Sequence, residues 1–198
     1  YFYQKTDVLY QMTVVFCRRF LPAHGDRTVD QMVQAARSGK QNIVEGCADG
    51  VTSTEMQLKL LNVARASIQE LQEDYRDYLL SRFGGLWDNG HSRYDALLLF
   101  CRTHNALADY QPFFERWSDE ETANAGYTLC RMVDKMMSTY IEGLETQFVT
   151  QGGIKERMYA ARTGYRQEQD ARLAALEEEN KRLKEENRKL KEQLENLG

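Results

Sequence analysis

Apolar residues recur three and four positions apart along most of the chain, and no stretch alternates with the period of two that a half-buried strand needs. That spacing restricts the chain to helices packed side by side. Val8, Leu9, Met12, Val15, Phe16 and Phe20 make the first stripe, on a helix expected from about Tyr3 to Phe20. "LPAHGDR" breaks it, and Thr28 with Gln31 reads as a capping box opening a second helix that ends near "CADG". Thr52 with Glu55 reads as another, ahead of a long third helix whose stripe is Leu60, Leu61, Ala64, Ile68, Leu71, Tyr75 and Leu79. After the glycine-rich turn "FGGLWDNGHS", a fourth helix is expected from Ser92 and Asp95 through "ALLLFCRTHNALADY", stopped by Pro112. Ser118 and Glu121 cap a fifth, which carries Tyr127, Cys130, Val133, Met137, Tyr140, Ile141, Leu144 and Phe148.

"QGG" at Gln151 to Gly153 stops that helix, and from Ile154 onward Gly164 and the terminal Gly198 are the only breakers. With only two prolines in 198 residues, the expected fold is all-α, an up-and-down bundle of helices. Ala35, Ala36, Ser38 and Gly39 gather small side chains on the second helix. A glycine inside a helix costs about 1 kcal/mol relative to alanine, so close packing against a neighbouring backbone is expected there.

Little in the sequence points to chemistry. The net charge is −4, so no global basic field advertises nucleic acid. Cys17, Cys47, Cys101 and Cys130 lie far apart without ligand spacing and read as buried small hydrophobes in a reducing compartment. His24, His91 and His104 have no His or Cys partner one helical turn away, so no metal site is expected. Phosphate-loop, dinucleotide-loop and nucleophile-elbow patterns are absent, and "DNGHSRYD" reads as a turn and helix start. Met132, Met136 and Met137 read as core or interface filling. Asn42 and Glu45 read as a polar clasp between helices or protomers, with Arg37, Lys40 or Arg65 as partners for the carboxylate. No catalytic residue, cofactor or membrane span is expected, and no signal peptide is visible, which suggests a cytoplasmic address.

Two features remain. In "IKERMYAARTGYRQ", Lys155, Arg157, Arg162 and Arg166 outnumber Glu156, and Tyr159 and Tyr165 are interleaved. Arginines take phosphates and tyrosines stack on bases, so the stretch is a candidate nucleic-acid or partner surface. Arg18 and Arg19, near Arg27, form a weaker basic patch. In the tail, Leu173, Asn180, Asn187 and Leu194 fall at heptad position a, and Leu176, Leu183, Leu190 and Leu197 at d. Leucine at d favours a parallel dimer, and asparagine at a selects register and two strands at some cost in stability. Arg172, Glu179 and Glu186 at g face Glu177, Lys184 and Lys191 at e of a partner, each an attractive pair.

"RTVDQMVQAARSGKQNIVEGCADG" followed by "STEMQLKLLNVARASIQELQEDY" resembles the bacterial four-helix-bundle family of 23S rRNA intervening-sequence proteins, which includes the accessory variability determinant of diversity-generating retroelements. The resemblance covers roughly residues 3–110 and departs at Gly39 and Lys40, where more apolar residues are usual. The stretch from "ANAGYTLC" to "RTGYR" looks like the suffix domain that follows this bundle in some members. The resemblance implies a four-helix bundle at 1–110, a suffix helical domain at 111–165 and, with the heptads, a coiled-coil tail at 166–198. It also implies a homo-oligomer, commonly a pentamer, beside RNA or a reverse transcriptase. A five-fold ring and a two-fold tail give different symmetries. The expected function is a non-enzymatic scaffold binding RNA, DNA or a nucleic-acid enzyme. The alternative is a purely structural assembly built by the tails.

Overall fold

The computed structural model describes residues 2–22, 27–49 and 53–195. The chain is all-α, with no strand among the described residues. The helices are α1 (Phe2–Phe20), α2 (Arg27–Asp49), α3 (Thr54–Phe83), α4 (Tyr94–Thr103), the short α5 (Leu107–Tyr110), α6 (Asp119–Gln151) and α7 (Ile154–Glu195), with a 3-10 turn at Gln111–Phe113. They fall into two compact units, Tyr1–Thr150 and Gln151–Gly198. The expected divisions after residues 110 and 165 lie elsewhere, the second of them inside α7.

The core of the first unit is made from the expected stripes. Val8, Leu9, Met12 and Phe16 of α1, Leu61, Ala64, Ile68, Leu71, Tyr75 and Leu79 of α3, and Cys130, Val133, Met137 and Ile141 of α6 are buried. Small residues set the helix spacing. A methyl group at Gly39 of α2 would stand 2.6 Å from Cδ1 of Ile68 and 3.6 Å from the Ala64 carbonyl oxygen, so the close approach is present but is made by a side chain rather than by the neighbouring backbone. Beside it, the hydroxyls of Ser38 and Ser67 meet at 2.9 Å.

A second close approach, at Gly126 of α6, has no counterpart among the sequence expectations. A methyl group there would lie 2.5 Å from Cζ of the Tyr75 ring. That ring is fully buried, and its hydroxyl is satisfied by Thr13 at 2.9 Å. The contacts along α3 run backward on α6: Gln57 meets Tyr140, Arg65 meets Asp134 at 2.8 Å and Tyr78 meets Asp119 at 3.1 Å.

The helix boundaries carry most of the corrections. The box at Ser118 and Glu121 is present, each side chain bonding the other's backbone N–H, at 3.2 and 2.8 Å. Thr28, expected as a cap, lies inside α2, which already begins at Arg27. Thr52 lies outside the described residues, and the cap of α3 is Ser53, whose Oγ accepts from Met56 N–H at 3.2 Å. The fourth helix starts at Tyr94 after Arg93, not at Ser92, and does not continue to Tyr110. It ends at Thr103, with His104 extended at φ −104°, ψ 127°.

The cause of that ending lies on α1. Lys5, only 4% exposed, donates its ammonium to the carbonyls of Cys101 and His104, taking up α4's terminal acceptors from the side. Tyr110 donates to the same His104 carbonyl at 3.1 Å, and Ala106 N–H bonds Asp109 Oδ2 at 3.0 Å to start α5. The turn at "DNGHSRYD" is present, with Gly90 N–H on Asp88 Oδ1 at 2.8 Å. Its neighbour Trp87 is tied to α6 through Asn124 and Glu120 at 2.9 and 2.8 Å. Three of the four cysteines are buried, but Cys47 is exposed, against expectation.

A candidate nucleic-acid interface

The second unit is essentially one helix of 42 residues. Gly152, at φ 72°, ends α6 in a conformation that other residues rarely adopt, and the Gly153 carbonyl accepts the Arg157 N–H at 3.1 Å as α7 begins. Nothing from there to Glu195 breaks the helix, so each residue's position around the axis follows from its number alone.

Lys155, Tyr159, Arg162 and Arg166 are spaced four, three and four apart, so they share one face, flanked by Tyr165 and by Met158. Arg157 does not join them, because two residues turn an α-helix by about 200° and place it on the far side. Tyr159 and Tyr165 are 73% and 64% exposed. Among the described residues none of these four cations is held in an ion pair, whereas Lys40 is paired with Asp7, Arg65 with Asp134 and Arg93 with Glu121.

The other basic pair is used internally. Arg18 pairs with Glu115 at 2.6 Å, and Arg19 bonds the Phe114 carbonyl and lies 4.5 Å from the centre of the Phe20 ring. These contacts fasten the end of α1 to the segment before α6, and Glu115 offsets one of the two charges.

Farther along α7 the heptad leucines stand in solvent. Leu173, Leu176, Leu183 and Leu190 are 57%, 56%, 47% and 52% exposed. Asn180 and Asn187 share their stripe, and Asn187 donates to the Leu183 carbonyl at 3.2 Å. Arg182–Glu179 and Arg188–Glu192 pairs line the flanks at 3.5 and 3.8 Å. Leu194 lies within the helix, and Leu197 lies outside the described residues.

The basic face and the leucine seam, separate features in the sequence, share one phase on the unbroken helix. Counting heptads back from Leu173 puts Arg166 and Tyr159 at a, and Gln169, Arg162 and Lys155 at d. The signal was in the numbering and needed only an unbroken helix to carry it.

Elsewhere the first unit has an open groove of about 870 Å³ whose lining includes Phe2, Met132, Met136, Tyr140 and Leu144. Within one chain, the expected clasp at Asn42 and Glu45 bridges no two helices among the described residues. Asn42 donates back to Ser38 at 2.9 Å, and exposed Glu45 accepts from Gln41 at 3.1 Å, both within α2. His91 stacks on Trp87 and His104 on Phe100, each with ring centres 4.2 Å apart, and His24 lies outside the described residues. Among the described residues no group of His, Cys, Asp and Glu could hold a metal ion, and no helix is long and apolar enough to cross a membrane. No family model, no curated protein and no solved structure matches the chain.

Proposed function

We propose that the chain is a non-enzymatic, self-associating helical scaffold of the cytoplasm that binds nucleic acid, or an enzyme acting on it, through the first turns of α7. The carrying observation is the single face of Lys155, Tyr159, Arg162 and Arg166, whose cations make no ion pair among the described residues. Cations and exposed aromatic rings on one face suit a phosphate backbone and its bases. Self-association rests on four leucines about half exposed in register with two asparagines, a pattern that is costly for a lone helix and selective for a paired one. Several copies acting together would give a weakly acidic chain the polyanion affinity that its net charge does not.

In this reading α1, α2, α3 and α6 form an up-and-down four-helix bundle. Support comes from the opposed run of contacts between α3 and α6, and from the same opposition between α2 and α3, where Gly39 meets Ile68 and Gly46 meets Leu60. The resemblance to the intervening-sequence proteins agrees with a bundle, an oligomer and an RNA or reverse-transcriptase partner. The exposed seam by itself favours a second reading, a purely structural particle linked by its tails. Native mass spectrometry at low salt separates the two: an oligomer carrying nucleic-acid mass supports the scaffold, a clean oligomer supports the particle, and a monomer defeats both.

A further inference from the structure

The heptad line of α7 changes character at Gln169. Toward the C-terminus its a and d positions hold Leu173, Leu176, Asn180, Leu183, Asn187 and Leu190; toward the N-terminus they hold Arg166, Arg162, Tyr159 and Lys155. Two copies that pair in register along the leucines therefore bring Lys155, Arg162 and Arg166 of each face to face with their equivalents. Six cations would then converge where a coiled coil needs an apolar seam. Glu156 and Asp170 sit at flanking e positions and Glu168 at c, so no acid lies on the line itself. Like charges at a and d do not pair, and the two helices must separate there.

Resting on the reading that copies pair along the seam and that this face binds nucleic acid, we infer that the paired α7 helices fork at Gln169 and that the two basic arms clamp a DNA duplex between them. Its phosphates supply the negative charge that the a and d positions of neither arm hold. From Lys155 to Arg166 an arm extends roughly 16 Å. A helix with its side chains, about 10–12 Å across, fits the B-form major groove of about 12 Å. A-form RNA, with its narrow major groove, does not admit it. The exposed Tyr159 and Tyr165 present hydroxyls to the sugar–phosphate wall. Gly164, at f, lies on the outer side of the arm.

The clamp depends on phase, which separates it from a basic surface that binds without geometry. Two alanines inserted between Gln169 and Asp170 turn the arms about 200° away from the seam axis while leaving every cation and leucine in the chain. A seven-residue helical insertion at the same point restores the phase. Fluorescence anisotropy with a short mixed-sequence DNA duplex, and with a single strand of the same length, reads binding by the full-length wild type and both insertions. Circular dichroism and sedimentation check helicity and pairing. The expected result is duplex binding about tenfold or more weaker for the two-residue insertion and recovered for the seven-residue one. The slope of log affinity against log salt is expected near roughly −5 for wild type and about −3 out of phase, for six and three neutralised phosphates.

Equal duplex binding by all three proteins would overturn the fork and leave the nucleic-acid reading standing. So would a wild type that prefers the single strand. A wild type that is monomeric in sedimentation overturns the clamp through its pairing, and one that binds neither probe overturns the clamp and the nucleic-acid reading together.

Discussion

The two units share one periodicity and differ in what covers it. In Tyr1–Thr150, Leu71, Tyr75 and Leu79 are fully buried against other helices of the same chain. In α7 the equivalent stripe stands open to solvent, with Leu173 at 57% and Leu176 at 56% exposure. The flanking residues mark the difference. The first unit sets glycines beside its stripe that admit a neighbouring side chain, Gly39 that of Ile68 and Gly126 the Tyr75 ring, whereas α7 surrounds its own with Glu, Lys and Arg at e and g. Small flanks suit a partner helix in the same chain. Charged flanks solubilise the stripe until a second chain of complementary charge covers it. The same apolar spacing thus serves folding in one region and, as proposed, association in the other.

The sharpest way to break this comparison is the same deletion in each region. Leu71→Ala opens a cavity in a closed core and is expected to cost about 3 kcal/mol. Both tryptophans, Trp87 and Trp117, lie in the first unit, so urea unfolding followed by their fluorescence isolates that loss. Protein concentration should leave it unchanged.

Alkaline pH is next. Burial pushes the Cys101 thiol up from 9.0 to about 11, and the Tyr75, Tyr110 and Cys130 groups are also raised by burial. The unfolded chain therefore releases protons first, and stability is full below pH 9 and falls as pH rises toward 11. Cys101 alone accounts for about 2–3 kcal/mol of that fall. Burial lowers the Lys5 ammonium, which opposes the trend without reversing four groups. Unfolding titrations between pH 8 and 11 should show the decline in tryptophan fluorescence.

Lys5→Met keeps the length of the side chain but removes the donor to two carbonyls. A loss of about 2 kcal/mol is expected, again in the tryptophan signal. The smallest effect is Leu183→Ala in the tail. It should leave the tryptophan unfolding curve in place and shift self-association, read by sedimentation, to about tenfold higher concentration, near 1.4 kcal/mol. A shift in the unfolding curve instead would mean that the two stripes are not separate devices.

The core stripes, the all-α class and the Gly39 contact were legible because burial repeats with the helix and small residues mark close approach. What was illegible depended on partners distant in sequence. Nothing around His104 says that the fourth helix stops there, because the group that stops it is Lys5. Nothing around Arg18 and Arg19 says that they are engaged, because Glu115 and the Phe114 carbonyl lie nearly a hundred residues on. Ser53, not Thr52, caps α3, and Thr28 falls inside α2, because local chemistry ranks adjacent candidates poorly. On α7 the basic residues were legible one by one, and Arg157 was grouped with the rest only because a list of cations carries no angle.

Lys5 ties a residue of the first helix to carbonyls 96 and 99 positions later. A bond of that span couples folding events that helix formation alone would leave independent. Until α1 docks, α4 has no neutralised end, and until α4 forms, Lys5 has no acceptors to bury against. The two helices should therefore gain and lose protection together. Amide hydrogens of Leu97 to Cys101 should exchange only through global opening of the first unit, although the ten-residue helix they belong to would fray readily on its own.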